Sequence, residues 1–194
     1  MLSRTADHLF WMSRYTERAE NTARMLDVSY QMSLLPQSAA VAQMGWQGLL
    51  SISELLPYYK SKYDVVTAAN VMRFMVSDEN NPSSIISCLR AVRENARAVR
   101  GSLTTELWET QNQTWLEAQR EIHTHDFLDD PAKLFEWVKF RSHLSRGVTI
   151  GTMLKDEARS FMRLGTYLER GDNTARLVDV CLLYTSPSPR DVEE

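Results

Sequence analysis

The side chains of this chain that could do chemistry are glutamates and arginines, and they come twice. YTERAENTARMLDV (Tyr15 to Val28) recurs as YLERGDNTARLVDV (Tyr167 to Val180), identical at nine of fourteen positions at an offset of 152. Each copy carries the same polar set: Glu17, Arg18, Asn21 and Arg24, then Glu169, Arg170, Asn173 and Arg176. On a helix Glu17 and Asn21 are i,i+4 and Asn21 and Arg24 are i,i+3, so all three can reach one point in space. Their stripe is Phe10, Arg14, Glu17, Asn21, Arg24 and Val28, and the second copy repeats it as Met162, Thr166, Glu169, Asn173, Arg176 and Val180. Apolar residues at both ends of a polar seam are more than a simple solvated face requires. Glu20 and Asp172 add an acid four residues before each second Arg.

Three uses fit such a seam. One is an ion and amide network that fixes the register of two long helices. Another is a ligand site in which two Glu/Asn/Arg sets face each other across an approximate two-fold, as sites inside helix bundles are built. The third is an exposed partner surface. Used as an enzyme, the seam would offer Glu17 and Glu169 as acid and base, positioned by Arg24 and Arg176.

Other constellations are weaker. Arg90, Arg93, Arg97 and Arg100 share a helix face with Glu94 and could fork onto a carboxylate or phosphate, or simply pair among their neighbours. Glu121, His123, His125 and Asp126, with Asp129 and Asp130, form the one cluster of histidine and carboxylate, but its spacing matches no established metal signature, so no metal is expected. His8 and His143 stand alone in the sequence. There is no Gly-rich phosphate loop and no Ser/His/Asp order, and no cofactor is expected.

The elements that must hold the seam follow from composition and punctuation. Among 194 residues, 43% are hydrophobic, 24% are charged and the formal net charge is −3, which supports a packed core and argues against bulk nucleic-acid binding. Only 7 Gly and 6 Pro occur, too few for a turn-rich β architecture. Prolines 36, 57, 82 and 131 cut the body into segments with 3.6-residue periodicity, so the expected fold class is all-α, a multi-helix bundle. Its two long Glu-Arg helices, Arg4 to Leu34 and Thr152 to Tyr184, should pack near each other. Other helices are expected over Ser38 to Leu56, Tyr63 to Ser77, Ser84 to Gly101, Ser102 to His125 and Ala132 to Arg146. Ser84 reads as an N-cap, Asp129-Asp130-Pro131 as a helix start, and Gly147 and Gly151 as points of close backbone approach. The five tryptophans are most simply core anchors. The uncharged run between Asp27 and Glu54 carries too many amides, serines and a proline for a bilayer span and reads as buried core. No signal-peptide pattern opens the chain, and Cys88 and Cys181 lie in apolar helical patterns, both of which point to the cytoplasm. The helical domain is expected over 1–184. Residues 185–194 lack an apolar period and read as a disordered or non-native tail, so the domain is expected to be truncated at its C-terminal side. The pattern carries no oligomeric state.

These residues also resemble the bacterial alpha-E family, a helical domain of unknown function named for its Glu-Arg motif. The likeness runs from MLSRTADHLFWMSRYTERAENTARMLDV through Asn81-Pro82-Ser83-Ser84 and Arg93-Glu94-Asn95-Ala96-Arg97 to Phe161 and Leu164-Gly165-Thr166-Tyr167-Leu168-Glu169-Arg170. Genes of that family tend to neighbour or fuse with circularly permuted ATP-grasp proteins and transglutaminase-like peptidases. The resemblance therefore implies a non-catalytic accessory or substrate-presenting role in a system that forms or processes peptides or amides, with a partner of one of those classes. The alternatives are an enzyme acting on a peptide or aminoacyl substrate through the seam, and a pure scaffold.

Overall fold

A computed structural model describes residues 1–123 and 127–184, with the backbone alone for 180–184. The described residues form eight α-helices and no strand: α1 (Ser3–Ser33), α2 (Ala39–Ile52), α3 (Leu56–Lys60), α4 (Ala68–Val76), α5 (Ile85–Ala98), α6 (Thr105–His123), α7 (Pro131–Thr152) and α8 (Glu157–Tyr184), with a 3-10 turn at Arg100–Ser102. The all-α bundle is thus as the periodicity implies. Among these residues no helix is long and apolar enough to cross a membrane.

Local chemistry sets most helix starts. Side-chain oxygens of Ser38, Thr67, Ser84 and Asp130 accept the N–H groups of Val41, Asn70, Ser87 and Lys133, satisfying donors that a helix start leaves open. Pro131 opens α7, where its missing N–H costs nothing. Pro57 does the same in the first turn of α3, so it starts a helix where the sequence suggests only a break. The end of α2 closes with the N–H of Glu54 bonded to Ser51 O and that of Leu55 to Leu50 O, a Schellman cap that needs a left-handed residue. Glu54 fills that place with φ of 55°, where Gly is the usual choice.

Helix α1 is the hub. It packs on α8, α5 and α7, while α6 closes against α5 and α7 on the far side. Two apolar clusters form around it. One gathers Ala19, Ala23 and Leu26 with Trp46, Tyr59, Phe74, Ile86 and Phe135. The other gathers Leu9 and Met12 with Val92, Leu107, Met153 and Met162. The stretch of α1 between the clusters holds Ser13, Glu17 and Glu20, all buried, so a polar layer divides the core.

Several expectations need correction. Helix α7 runs six residues past Arg146, and the chain from Met153 to Asp156 is a connection, so the second long helix starts at Glu157. Residues 63–67 are not helical. A Cβ at Gly147 or Gly151 would meet nothing within 4 Å. The close approach is instead at Gly165, where an added Cβ would land on the Phe10 carbonyl oxygen of α1. The uncharged run after Asp27 is not buried through its length: Leu34, Leu35, Val41 and Met44 are exposed, and burial begins at Trp46. Only the second half of α2 meets the core, so amides and apolar groups of the first half stay at the surface. Trp46 is fully buried, and the other four tryptophans are partly so.

Candidate functional site

The seam forms because α1 and α8 run parallel in nearly the register of the sequence repeat. Met1 meets Glu157, Phe10 lies against Gly165, and Arg14 and Arg18 meet Glu169, so contacts climb both helices together. Equivalent residues thus face each other about an approximate two-fold along the pair. Such a pairing lets each Glu-Arg dipeptide bind the other. Arg18 donates from Nε to Glu169 Oε1 at 2.6 Å and from Nη2 to Oε2 at 3.0 Å. Arg170 repeats the geometry on Glu17, Nε to Oε1 at 2.8 Å and Nη2 to Oε2 at 3.2 Å. Each guanidinium also lies over the tyrosine three residues before it, Arg18 at 5.4 Å from Tyr15 and Arg170 at 5.8 Å from Tyr167. The repeated Tyr-x-Glu-Arg string is therefore one device: an aromatic shelf, an arginine resting on it, and a carboxylate for the arginine opposite.

A second arginine completes each carboxylate. Arg14, stacked over Trp11 at 5.2 Å, gives its Nε to Glu169 Oε2 at 2.6 Å. Arg146 of α7 gives Nη1 to Glu17 Oε2 at 3.0 Å and to Glu20 Oε2 at 2.5 Å. Glu20 also accepts from Ser142 Oγ at 2.6 Å and from Arg24 Nη2 at 2.7 Å. Glu17 and Glu20 are each 3% exposed and Glu169 5%. Burial alone would raise the pKa of Glu20, but the bonds from Arg146, Ser142 and Arg24 outweigh it and bring it down to about 2. Cys88 lies within electrostatic reach of Arg18 and Glu169. Burial pushes its thiol up to about 12, which removes the thiolate a nucleophile needs.

Glu17, Asn21 and Arg24 line one depression of about 500 Å³ together with Arg170 and Asn173, but Arg24 does not bond to either of the other two. Arg24 turns back onto Glu20, and Arg176 onto Asp172 at 3.1 Å while reaching Glu54 at 2.8 Å. Asn21 and Asn173 flank a recess of about 290 Å³ bounded by the end of α2, and the Nδ2 of Asn21 is buried without a hydrogen bond. Val28 is exposed and brackets nothing. His143 is not isolated: its ring nitrogens lie 2.9 Å from Arg146 Nη2 and 3.4 Å from Arg24 Nη2. His8 sits 2.8 Å from the Asn95 side chain.

The arginine group on α5 disperses. Arg90 binds Glu79 at 2.9 Å, Arg93 binds Glu94 at 2.5 Å and Asn112, and Arg97 reaches Glu94 at 3.5 Å. Arg100, in the 3-10 turn, covers Trp108 at 5.3 Å. These side chains share no focus for a ligand. The His/Asp cluster falls partly on residues 124–126, outside the described residues; His123 lies 3.9 Å from Glu79. Cys181 is likewise beyond the described side chains.

Three members of the polar layer went unnoticed in the sequence: Ser142, Ser145 and Arg146. With Gln111, whose amide reaches Ser145 Oγ at 2.5 Å, and Arg141, bonded to Thr114 Oγ1 at 2.8 Å, they carry the layer across α6 and α7. Their signal was present. The buried stripe of α7, Leu134, Phe135 and Val138, turns polar at Arg141, Ser142 and Ser145 without leaving the helix period.

An all-helical bundle cross-linked by reciprocal Glu-Arg pairs on two repeated helices defines the class. This chain belongs to the Alpha-E family, described as a predicted alpha-helical domain with a conserved ER motif, which matches residues 1–193. Among curated proteins it is similar to an uncharacterized protein of Mycobacterium bovis, 28% identical over 117 residues, covering 54% of this chain and 13% of that protein. Uncharacterized proteins from two strains of Mycobacterium tuberculosis match over the same length at 28% and 27% identity, with the same coverage of each chain. This chain thus corresponds to a small part of those relatives. No solved structure matches.

Proposed function

We propose that the chain is a non-catalytic helical module, an accessory or substrate-presenting component that works with a peptide- or amide-forming or peptide-processing partner of the ATP-grasp or transglutaminase-like class. The observation that supports the non-catalytic part is that the two seam carboxylates are saturated with hydrogen bonds. Glu17 and Glu169 each accept three charged hydrogen bonds from two arginines, and both oxygens of each are engaged. A general acid or base needs an accessible group that exchanges its proton near working pH. Glu20, held at about 2, stays ionised there. The network therefore acts as an internal cross-link that sets the register of α1 and α8. The partner class rests on the family resemblance.

Affinity capture from native lysate with wild type and with a folded Glu169→Gln variant tests this reading. Recovery of an ATP-grasp or transglutaminase-like partner by wild type supports it. Absence of both classes overturns the partner assignment, and a bound small molecule or peptide lost only in the variant overturns the non-catalytic assignment in favour of a working seam.

A further inference from the structure

The groove between α1, α7 and the first half of α8 has a volume of about 630 Å³ and is lined by four cations, Arg146, Lys155, Arg159 and Arg163. Most arginines of this protein are tied to carboxylates, and Arg146 is tied to Glu17 and Glu20. Lys155, Arg159 and Arg163 are different: their side chains have no hydrogen-bond or carboxylate partner among the described residues, although Arg163 lies over Tyr167 at 5.8 Å. The acid on the wall, Asp156, uses Oδ1 to accept the backbone N–H of Arg159 at 3.1 Å and so caps the helix. Met12, Ile150 and Met162 give the groove an apolar part. Beyond Arg146 the groove continues into a depression of about 500 Å³ beside Arg24 and Arg170, but there Glu17 and Glu20 balance the charge. The end with excess positive charge is the one beside Lys155, Arg159 and Arg163, which face the single carboxylate of Asp156.

We infer that this groove binds an extended acidic peptide, with carboxylates at alternate positions seated on Arg163, Arg159 and Lys155 and an apolar side chain against the exposed Ile150. The spacing fits. Arg159 and Arg163 are four residues apart on α8, a rise of about 6 Å, and alternate side chains of an extended chain lie about 6.6 Å apart on one face. Guanidinium forks match carboxylates in a bidentate manner, and a part-apolar groove of this size suits a few residues of peptide. The inference rests on the substrate-presenting reading, for which it names the substrate class.

The test is fluorescence anisotropy with a labelled Glu-Val-Glu-Val-Glu peptide at low ionic strength, beside its all-Gln counterpart. The acidic peptide should bind and the Gln peptide should not. Arg159→Gln and Arg163→Gln should each weaken binding about tenfold and together about a hundredfold, with the fold intact because neither side chain makes a hydrogen bond; circular dichroism and Tm check this. Lys133→Gln, on the exposed start of α7, should leave binding unchanged. No binding of the acidic peptide, or binding retained by the double variant, overturns the inference. Competition by millimolar inorganic phosphate beyond that of chloride at equal ionic strength overturns it in favour of a phosphate ligand. Partner capture by the Arg159→Gln/Arg163→Gln protein separates the two readings: a partner recovered without peptide binding leaves the accessory role standing and removes only this substrate class.

Discussion

Glu20 ties folding stability to pH through its lowered pKa. Its folded pKa of about 2 lies below the ordinary 4.5, so its contribution is fully present above pH 4.5 and is lost as pH falls from there through about 2. At 3% exposure little solvent screening applies, and the shift corresponds to roughly 3 kcal/mol. Urea unfolding between pH 2 and 7 should show wild-type stability dropping across that window. Glu20→Gln should be less stable at pH 7 and lose less than wild type over the same interval; parallel curves would remove Glu20 as a cause. At this scale the sequence was half legible. Glu17, Arg18, Glu169 and Arg170 stood out because repetition at one offset marks residues that can face each other. Arg24 and Arg176 misled because a helical wheel projects directions and ignores reach, and a long arginine can fold back one turn to its own acid. Arg146 and Ser142 escaped because nothing local links α7 to α1.

Between elements, the parallel contact of α1 with α8 depends on one missing side chain. Gly165 lets α8 approach until the Phe10 carbonyl occupies the place of a Cβ, and the same approach brings both Glu-Arg pairs within bonding distance. Gly165→Ala must push the helices apart against backbone, with no flexible side chain to yield, and should cost about 1–3 kcal/mol. Gly171→Ala, farther along α8 and facing open space, should instead stabilise by roughly 0.5–1 kcal/mol by favouring the helix. Thermal melts of the two variants check the contrast, and similar shifts for both would mean that the close approach is not what holds the pair. Helix starts were legible at Ser84 and at Asp130-Pro131, but not at Thr67, whose cap places the start of α4 after the expected Tyr63, nor at Pro57. Which glycine marked the crossing was not, because four-residue glycine spacing in α7 carries the same local signal as a true contact. Only the partner's position decides.

Across the whole molecule, the two repeats share a sequence but not an environment. Met12 is 1% exposed and its counterpart Leu164 48%; Leu26 is fully buried and its counterpart Val178 is 53% exposed. The same split holds for charge, with Glu20 covered by Ser142 and Arg146 of α7 while Asp172 meets only Arg176 of its own helix. Of the two repeat helices it is α1 that carries the main contacts with α5 and α7, whereas α8 packs chiefly on α1 and leaves much of its remaining surface exposed. Sequence equivalence therefore does not carry energetic equivalence here, since burial and not identity sets what an apolar side chain contributes. Leu26→Ala should destabilise by about 2–5 kcal/mol, because it opens a cavity between α1 and the cluster around Phe74 and Phe135. Val178→Ala, a truncation to alanine at the equivalent position, should move stability by no more than about 0.5 kcal/mol. Guanidinium unfolding of both variants reads the difference directly. A comparable loss at Val178 would mean that its face of α8 is covered in solution, and the asymmetry between the repeats would then belong to the isolated chain and not to its working state.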